Sequence, residues 1–538
     1  MNPRALIPNL RHARGIIAAA GIVISGMTSA AQFNLATATV LDIQAAMDSG
    51  KLSAEQLTKL YLARIDTYDH QGPRLNSLLT VNSKALAYAR ELDQERQQRG
   101  PRSPLHGVPI VIKANIDMAD LPTTGGSLAL KDCVAPDDAF TVARLRAAGA
   151  IILAASNLDE FARGGTGTSS LGGQTLNPYS PEHIPGGSSA GTGSGVSGVL
   201  AQGGLGTETG SSVRSPSNNN CLVGISPSEG LVSRDGVIPI SLTLDRVGPM
   251  ARNVTDAAAM LSAMAGMDGA DLITLKAAGR KPAGGYLGFL DTNRLKGARL
   301  GVLRQLNGTT PADKPALELF EKALVDIKQA GAILIDPLAP ETDLWALLRD
   351  VNMSDEEYRW GLNAYLTTRR GTVPVKNLRE LIDTGKYLGR LKARFEECEA
   401  KPRLEENPEY AAKVRGRAVA RELVTALMDR YELDALIYPH RTQPIQTIAE
   451  AAPDRGNTVV GEQRSRGSSA RLSTVTGFPT VIVPAGFTPD GLPLGIEIFG
   501  RLYSESTVIG LGYSFEQRTK HRRLPATTPA LPGDTFEY

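Results

Sequence analysis

The sequence is poor in cysteine and has no excess of charge of either sign. Its 538 residues include three cysteines, Cys133, Cys221 and Cys398, and their spacing shows no pairs. Thiols scattered in this way suit neither a zinc site nor a disulfide framework. Lys plus Arg number 58 against 56 Asp plus Glu, a net charge of +2. Binding to a phosphate backbone needs a positive excess, so we expect no nucleic-acid partner.

Long apolar runs are also missing, and the one short run lies near the N-terminus. Three arginines precede the apolar stretch Ile16–Met27, and the small residues Thr28-Ser29-Ala30 follow it. This pattern is typical of an export signal, and the run is too short to span a bilayer comfortably. We therefore expect residues 1–30 to be a cleaved signal peptide and the mature protein to be periplasmic or secreted, without membrane attachment. The alternative is a frayed N-terminal helix on a cytoplasmic protein.

The remaining composition and patterning indicate an α/β protein. Hydrophobic residues make up 42% and charged residues 21%, as in soluble globular proteins. A capping box at Ser53–Gln56 predicts the start of a helix. Further along, the apolar strands Val108–Lys113 and Ile151–Ala155 flank a helix at Phe140–Ala148 that Gly149 closes. Alternation of this kind predicts a layered fold with a buried, largely parallel sheet.

The domain organisation follows from changes in composition. We expect one domain over residues 36–538. Within it, residues 340–460 are charged and helical in pattern, which predicts a peripheral helical layer that shapes a substrate pocket. Strand character returns at Ala435–Tyr438 and at Pro479–Val483.

Residues 164–210 are crowded with Gly, Ser and Thr, which is the composition of a flexible linker. Apolar residues such as Val196 and Leu200 interrupt the segment and favour a packed catalytic core instead. Its glycines lack the spacing of a dinucleotide fingerprint, and the chain has no G-x-x-x-x-G-K-[ST] motif, so a nucleotide site is not expected. An S-x-x-K motif is absent as well.

A short match to G-x-S-x-G offers one possible nucleophile. Gly187–Gly191 has Ser189 at its centre, as in the strand-to-helix turn of α/β-hydrolases. Such a serine needs an acid and a histidine downstream, and only His440 and His521 lie late enough. An esterase built on Ser189 is therefore the alternative to the interpretation that follows.

A longer, ordered set of motifs resembles the amidase-signature family. The segments that carry the resemblance are Gly107–Lys113, Pro185–Gly191, Gly206–Pro216, Gly477–Pro479 and Gly491–Gly495. Together they span about residues 40 to 520. The resemblance implies the α/β fold of that family, with a mixed, mostly parallel central sheet covered by helices on both faces.

The resemblance also implies the roles of individual residues. Lys113 is the expected base, Ser188 the bridging serine held in a cis peptide, and Ser212 the nucleophile that forms an acyl-enzyme. The backbone N–H groups of Thr209, Gly210, Ser211 and Ser212 are expected to form the oxyanion hole. Ser189 and Arg214 are expected to support the site, with Arg214 holding the loop by hydrogen bonds to carbonyls or to an acid such as Glu208. No metal and no cofactor are implied.

The chain departs from the family pattern at three positions. Glu208, Ser211 and Ser226 stand where the family usually has Asp, Gly and Lys. Ser211 makes the nucleophile ambiguous, because two serines are now adjacent. The family serine lies two positions before the arginine, so Arg214 selects Ser212, and whether Ser211 has a catalytic role stays open.

The implied chemistry requires Lys113 to be uncharged, because a serine hydroxyl attacks an amide only when a base removes its proton. An ordinary lysine has a pKa of about 10.4, and burial can lower it to near 7. The apolar residues before Lys113 are consistent with burial. Histidine is then unnecessary, and we interpret His106 and His183 as pocket or loop residues.

The expected function is hydrolysis of linear carboxylic amides. Residues 172–179 and 230–241 are similar to bacterial peptide amidases, which suggests C-terminal peptide amides as substrates. The expected partner is thus a small-molecule or peptide amide, and the protein a monomer or homodimer. A glutamine-dependent transamidation subunit shares the motifs but would act in the cytoplasm with partner subunits. A non-catalytic binding protein with the same fold is a further alternative.

Overall fold

A computed structural model describes residues 32–369, 373–451, 466–468 and 471–538. The predicted signal peptide, residues 1–30, lies outside the described residues. Residues 32–34 already belong to the fold, since the strand β1 (Gln32–Asn34) pairs with the strand β15 (Thr535–Glu537). No helix in the described ranges is long and apolar enough to cross a membrane.

The remaining strands form one large sheet and one small hairpin. They are β2 (Leu78–Val81), β3 (Pro109–Lys113), β4 (Ile151–Ser156), β5 (Thr168–Ser169), β6 (Gly173–Gln174), β7 (Gly203–Glu208), β8 (Val223–Ser226), β9 (Arg246–Ala251), β10 (Arg299–Val302), β11 (Ile333–Ile335), β12 (Ala435–Pro439), β13 (Thr480–Phe487) and β14 (Pro493–Phe499). The large sheet has eleven strands in the order β11-β10-β12-β14-β13-β8-β9-β7-β3-β4-β2, and β5 pairs with β6. The strands expected at Val108–Lys113, Ile151–Ala155, Ala435–Tyr438 and Pro479–Val483 are confirmed as β3, β4, β12 and β13.

The sheet is mixed, as expected, but parallel pairs are not the majority. Six of its ten pairings are antiparallel and four are parallel. The expectation of a mostly parallel sheet therefore holds only for two regions, β4-β3-β7 and β11-β10-β12. Between them, β9, β8, β13 and β14 alternate in direction. Continuous apolar runs indicate burial on both faces and leave strand direction undetermined.

The helices of the described residues surround the sheet. They are α1 (Val40–Asp48), α2 (Ala54–Arg64), α3 (Ala85–Arg99), α4 (Phe140–Ala147), α5 (Ala190–Ser197), α6 (Arg214–Asn219), α7 (Val254–Met264), α8 (Lys314–Gln329), α9 (Leu344–Asp350), α10 (Ser354–Thr368), α11 (Leu378–Thr384), α12 (Lys392–Ala400), α13 (Pro408–Arg430), α14 (Leu472–Thr476) and α15 (Glu505–Thr519). Strands β3, β4, β7, β9 and β14 are buried at every position. Successive strand residues point to opposite faces, so both faces of the sheet are covered.

Local signals in the sequence account for several helix ends. The capping box at Ser53 is present, with the Ser53 hydroxyl accepting from the N–H of Gln56 and the Gln56 side chain accepting from the N–H of Ser53. Helix α4 runs as expected, and Gly149 after it has φ +90°. The three cysteines are buried and form no disulfide.

The segment 340–460 is helical up to Arg430, as the pattern predicted, and then enters the sheet as β12. Helices α9 and α13 pack with Leu436 and Tyr438 of β12 in one apolar cluster. Helices α10, α11 and α12 form a second cluster with Phe161, in the segment after β4, and Ile238, in the loop between β8 and β9. The helical layer is therefore anchored at two separate places, once to the sheet itself and once to these connecting segments.

The Gly-rich segment is part of the core. Every residue of α5 is buried, including Gly191, Gly193 and Gly195. At Gly191 the helix approaches another backbone so closely that a Cβ atom would lie 2.5 Å from both the N and the O of Asn157. A linker would make no such approach, so the packed-core interpretation of residues 164–210 is confirmed.

Replacing Gly191 by Ala should destabilise the fold, because rigid backbone atoms leave no room for the methyl group. We expect Gly191→Ala to lower the midpoint of thermal unfolding by several degrees, about 1–3 kcal/mol of overpacking. Gly195→Ala, one turn later in α5, is the matched control. Its Cβ would meet the Ser77 side chain at 3.0 Å, and Ala is the better helix former. An equal or larger fall in the midpoint of thermal unfolding for Gly195→Ala would contradict this account.

Candidate active site

Lys113 is the last residue of β3 and is fully buried. Its Nζ lies 2.7 Å from the Ser188 hydroxyl and 2.8 Å from the Thr207 hydroxyl, both within hydrogen-bond distance. Strands β3 and β7 are parallel, so their carboxyl ends meet at one edge of the sheet. That edge brings Lys113, at the end of β3, next to Thr207, near the end of β7.

Burial lowers the pKa of Lys113 to about 7, because a low-dielectric interior disfavours the ammonium form. The carboxylates of Asp159, Asp245 and Glu208 act in the opposite direction and keep the pKa from falling further. About half of the Lys113 amines are therefore uncharged at neutral pH. The sequence predicted this burial from the apolar residues of β3.

Two of these acids are themselves weakened by burial. Burial raises the pKa of Asp159, and it raises the pKa of Asp245 to about 6. Asp245 accepts hydrogen bonds from the Thr209 hydroxyl at 2.5 Å and from the N–H of Ile240 at 2.7 Å. Neither acid forms a direct ion pair with Lys113, which leaves the lysine pKa near neutrality.

Ser188 follows a cis peptide bond from Gly187, as the family resemblance implied. Its side chain is fully buried, and its carbonyl accepts a hydrogen bond from the Asp159 N–H at 3.1 Å. The Asp159 carboxylate accepts in turn from the N–H groups of Thr166 and Gly167, at 3.1 and 2.9 Å. These bonds tie the Ser188 loop to the segment after β4.

Ser211 and Ser212 lie in the turn between β7 and α6. Ser212 is half-buried and lines a cavity with Gly187, and its carbonyl accepts a hydrogen bond from the Ser189 N–H at 3.3 Å. Among the described residues the Ser212 hydroxyl has no hydrogen-bond partner. The lysine-to-Ser188 contact is thus formed, whereas no hydrogen bond joins the hydroxyls of Ser188 and Ser212. Catalytic hydrogen bonds are often long without substrate and tighten when it binds.

The same turn presents unused hydrogen-bond donors. The backbone N–H groups of Thr209, Gly210, Ser211 and Ser212 have no acceptor within the part of the chain that the structure describes. Thr209, Gly210, Ser211 and Ser212 also line the cavity. Free donors at the wall of a cavity are what an oxyanion hole requires.

Arg214 holds this turn, as expected from the sequence. Its side chain donates to Glu208 at 2.8 Å, to the Gly210 carbonyl at 2.6 Å and to Glu497 at 3.0 Å. Glu208 also accepts from the N–H of Val213 at 3.0 Å. All the charged members of this network are fully buried, so the turn is fixed from behind.

A chain of hydrogen bonds that the sequence did not predict ends at Ser211. The Ser211 and Ser215 hydroxyls lie 2.8 Å apart, Ser215 Oγ lies 2.9 Å from His440 Nε2, and His440 Nδ1 lies 2.6 Å from Glu497. Burial lowers the pKa of His440, so the imidazole is neutral near pH 7. Burial raises the pKa of Glu497, but Arg214 and His440 more than offset it and hold that pKa at about 2. Since ionised Glu497 only accepts, the proton of His440 lies on Nδ1.

This chain distinguishes the two adjacent serines. The Ser211 hydroxyl is bound to Ser215, whereas the Ser212 hydroxyl is unpartnered among the described residues. This difference favours Ser212 over Ser211, as does its position two residues before Arg214, and the role of Ser212 as nucleophile stays a prediction. The sequence could not predict this chain of hydrogen bonds, because Ser211 and His440 are more than two hundred residues apart and no local motif contains both.

The alternative site around Ser189 is not assembled. The Ser189 hydroxyl is buried against β7, where it donates to the Thr207 carbonyl and accepts from the Thr207 N–H, both at 3.3 Å. His440 contacts Ser215, and His521 lies 3.6 Å from Asp326. No histidine of the described residues contacts Ser189.

His106 and His183, the two histidines near the family motifs, lie in loops. His106 Nε2 lies 2.9 Å from the Leu92 carbonyl, and His183 Nδ1 lies 2.8 Å from the Ser180 hydroxyl. Neither is part of the site. Within the described ranges no three His, Cys, Asp or Glu side chains are grouped as metal ligands.

The cavity in front of Ser212 is lined by three parts of the chain. The catalytic turns contribute Gly186, Gly187 and residues 209–212, and the segment after β4 contributes residues 162–166. The helical layer and the region after β12 contribute Asn352, Ser354, Arg390, Leu391, Arg394, His440, Arg441 and Gln443. The segment 340–460 thus lines the cavity, and its role in choosing the substrate stays a prediction.

The chain matches a known protein family over most of its length. The family model described as Amidase matches residues 56–509. A probable amidase of Arabidopsis thaliana is 33% identical over 514 residues, with 92% of each chain covered. A glutamyl-tRNA(Gln) amidotransferase subunit of Symbiobacterium thermophilum is 33% identical over 507 residues, covering 89% of this chain and 96% of that protein.

A solved structure shares the fold. The native peptide amidase from Stenotrophomonas maltophilia superposes with a TM-score of 0.81 at 38% sequence identity, covering 92% of this chain and 99% of the other. The eleven-stranded mixed sheet and its helices therefore belong to an architecture known from experiment.

The geometry predicts that a serine-directed fluorophosphonate labels Ser212. Because Lys113 accepts a proton only when uncharged, the labelling rate should rise about tenfold per pH unit below 7 and level off above the lysine pKa of about 7. The measurement is the rate of adduct formation by mass spectrometry from pH 5 to 9.

Variants locate the adduct. Ser212→Ala should lose labelling, whereas Ser211→Ala and Ser189→Ala should keep it, because their hydroxyls are already bound to neighbouring groups. An adduct on Ser211 or Ser189, or a rate independent of pH across this range, would refute the assignment.

Proposed function

The chain belongs to the amidase family and is an amide hydrolase, and from this premise we propose that it cleaves linear carboxylic amides through an acyl-enzyme on Ser212. The observation that carries the proposal is the 2.7 Å contact between Lys113 and Ser188, next to a serine that faces the cavity. A buried amine with a pKa of about 7 is a base suited to neutral pH.

Acylation would move one proton along the three side chains. Ser212 Oγ attacks the amide carbon while its proton passes to Ser188 and the Ser188 proton passes to the uncharged Nζ of Lys113. The resulting ammonium of Lys113 then returns a proton through Ser188 to the leaving nitrogen. The C–N bond breaks and ammonia or an amine departs, and water enters by the same path to release the acid and free Ser212.

The turn after β7 would stabilise the tetrahedral intermediate. The N–H groups of Thr209, Gly210, Ser211 and Ser212, which no described residue accepts from, would donate to the carbonyl oxygen as negative charge develops on it, and the bond from Arg214 to the Gly210 carbonyl would hold the turn in place. Loss of one such donor typically costs about 2.7–4 kcal/mol of transition-state stabilisation.

We propose peptide or small primary amides as substrates and the periplasm or the extracellular space as the site of action. The similarity to a peptide amidase at 38% identity supports the substrate, and the export pattern at residues 1–30 supports the location. The chain would then work alone, as a monomer or homodimer, without membrane attachment.

Transamidation is the second candidate, and the similarity to glutamyl-tRNA(Gln) amidotransferase subunits favours it. A transamidation subunit would release ammonia from glutamine and depend on partner subunits. Against this role stands the export pattern at residues 1–30. Ammonia release from peptide amides by the purified chain alone would decide for the hydrolase.

The test is ammonia release from a panel of C-terminal peptide amides, small primary amides and glutamine by the purified chain. We expect turnover of peptide amides by the wild type and a fall in kcat/KM of at least about 10⁴-fold in Ser212→Ala and in Lys113→Met, since members of such a unit fail together. We choose Met at position 113 because the site is buried and the Met side chain has a volume similar to that of Lys.

Ser189→Ala is the control, and it should keep most of the activity. Circular dichroism and the unfolding midpoint show whether each variant is folded. Turnover retained by a folded Ser212→Ala or Lys113→Met variant would disprove the proposed chemistry. If the wild type released ammonia from glutamine but from none of the other amides, the result would favour transamidation.

A further inference from the structure

The cavity in front of Ser212 has a wall of one charge. Arg163, Arg390, Arg394, Arg441 and Arg471 line it, and no Asp or Glu is among its lining residues in the described ranges. We infer that the amide substrate carries an anionic group, a carboxylate, on its acyl part, and that this group binds to the arginine wall. The inference rests on the proposed function and specifies the substrate class for the same site.

One carboxylate lies behind the part of the wall formed by Arg163 and Arg394, and it does not neutralise both. Asp355 is shared by two guanidiniums, with Arg163 and Arg394 each donating to it at 2.9 Å. Arg163 also donates to the Ser354 carbonyl at 3.2 Å and lies 3.8 Å above the Tyr358 ring. One carboxylate between two guanidiniums leaves an excess of one positive charge at this place.

Arg390 has an even weaker anionic partner. It donates to the Arg163 carbonyl at 2.9 Å, and its second nitrogen lies 3.4 Å from Asp159. That carboxylate is already bound by Thr166 and Gly167. Burial raises the pKa of Asp159, which further weakens it as a counter-ion.

Two guanidiniums of the wall keep a donor that no described residue accepts. The Nε atoms of Arg163 and Arg390 are buried and have no hydrogen-bond partner among the described residues. The side chains of these two arginines are only 4% and 11% exposed. Buried donors without partners are unfavourable, and a guanidinium binds a carboxylate through paired N–H groups.

The reaction determines which part of the substrate carries the charge. Cleavage of a primary amide releases ammonia, so the leaving group has no other substituent. The anionic group must then lie on the acyl part, which remains attached to Ser212 in the acyl-enzyme. For a peptide amide this means an acidic side chain or another carboxylate in the peptide.

Three primary amides of equal chain length test the inference: 6-amino-6-oxohexanoate, hexanamide and 6-aminohexanamide, which are anionic, neutral and cationic. We expect kcat/KM for ammonia release to be at least about tenfold higher for the anionic than for the neutral amide, and lowest for the cationic one. The anionic preference should shrink as the salt concentration rises.

Arg390→Gln tests the wall itself. The ratio of kcat/KM for the anionic to that for the neutral amide should fall about tenfold or more in this variant, and Arg390→Lys should restore part of it. Arg415→Gln is the matched control, since Arg415 is exposed on α13 outside the cavity. It removes the same charge and should leave the ratio unchanged.

The outcomes separate the inference from the proposed function. Equal kcat/KM for the anionic and neutral amides would overturn the anionic substrate while leaving the amide hydrolase in place. A ratio that does not change in Arg390→Gln would show that Arg390 only ties the helical layer to the segment after β4, and would overturn the arginine wall. Failure to release ammonia from any amide, peptide amides included, would overturn the proposed function and the inference with it.

Discussion

The site depends on one constraint, the burial of an amine that has no direct ion pair with any described residue. A lysine at the end of a central strand would normally be charged, and a buried charge without a partner is strongly unfavourable. Here burial lowers the pKa of Lys113 to about 7, and its close contacts are two neutral hydroxyls. Closer carboxylates would keep the amine protonated, and a fully apolar site would offer no path for its proton.

The surrounding sequence can be understood from this constraint. The acids near Lys113 are engaged elsewhere: Asp159 by backbone N–H groups, Asp245 by Thr209 and Glu208 by Arg214. The glycine-rich segment lets helix α5 approach the backbone after β4, which brings the Ser188 loop against β3 and β7. The composition rich in Gly, Ser and Thr, which suggests a linker, thus allows close packing around the proton path from Ser188 to Lys113.

Much of the site could be predicted because its motifs are local. Lys113, the cis peptide at Ser188 and the contacts of Arg214 to Glu208 and Gly210 were expected and are present. Strand direction could not be predicted, since β8, β9, β13 and β14 are apolar in either orientation. The links from Ser215 to His440 and from Arg163 to Asp355 also escaped prediction, because their partners come together only through the sheet and the helical layer.

The two halves of the cavity have different origins. The family motifs build the half that contains Ser212, Gly187 and the turn of residues 209–211, whereas the arginines come from segments outside those motifs. Substitutions in the arginine segments can therefore change the substrate preference without changing the residues of the proposed chemistry. The helical layer, whose sequence shows few motifs, supplies Arg390 and Arg394 to the wall.

The central claim is tested most directly by titrating the Lys113 amine in the intact protein. With lysine labelled at Cε or Nζ, its NMR resonance can be assigned by its absence in Lys113→Met and followed from pH 5 to 11. The account predicts a midpoint near pH 7. A midpoint above pH 9, where ordinary lysines titrate, would mean that the amine is charged at neutral pH and cannot be the base.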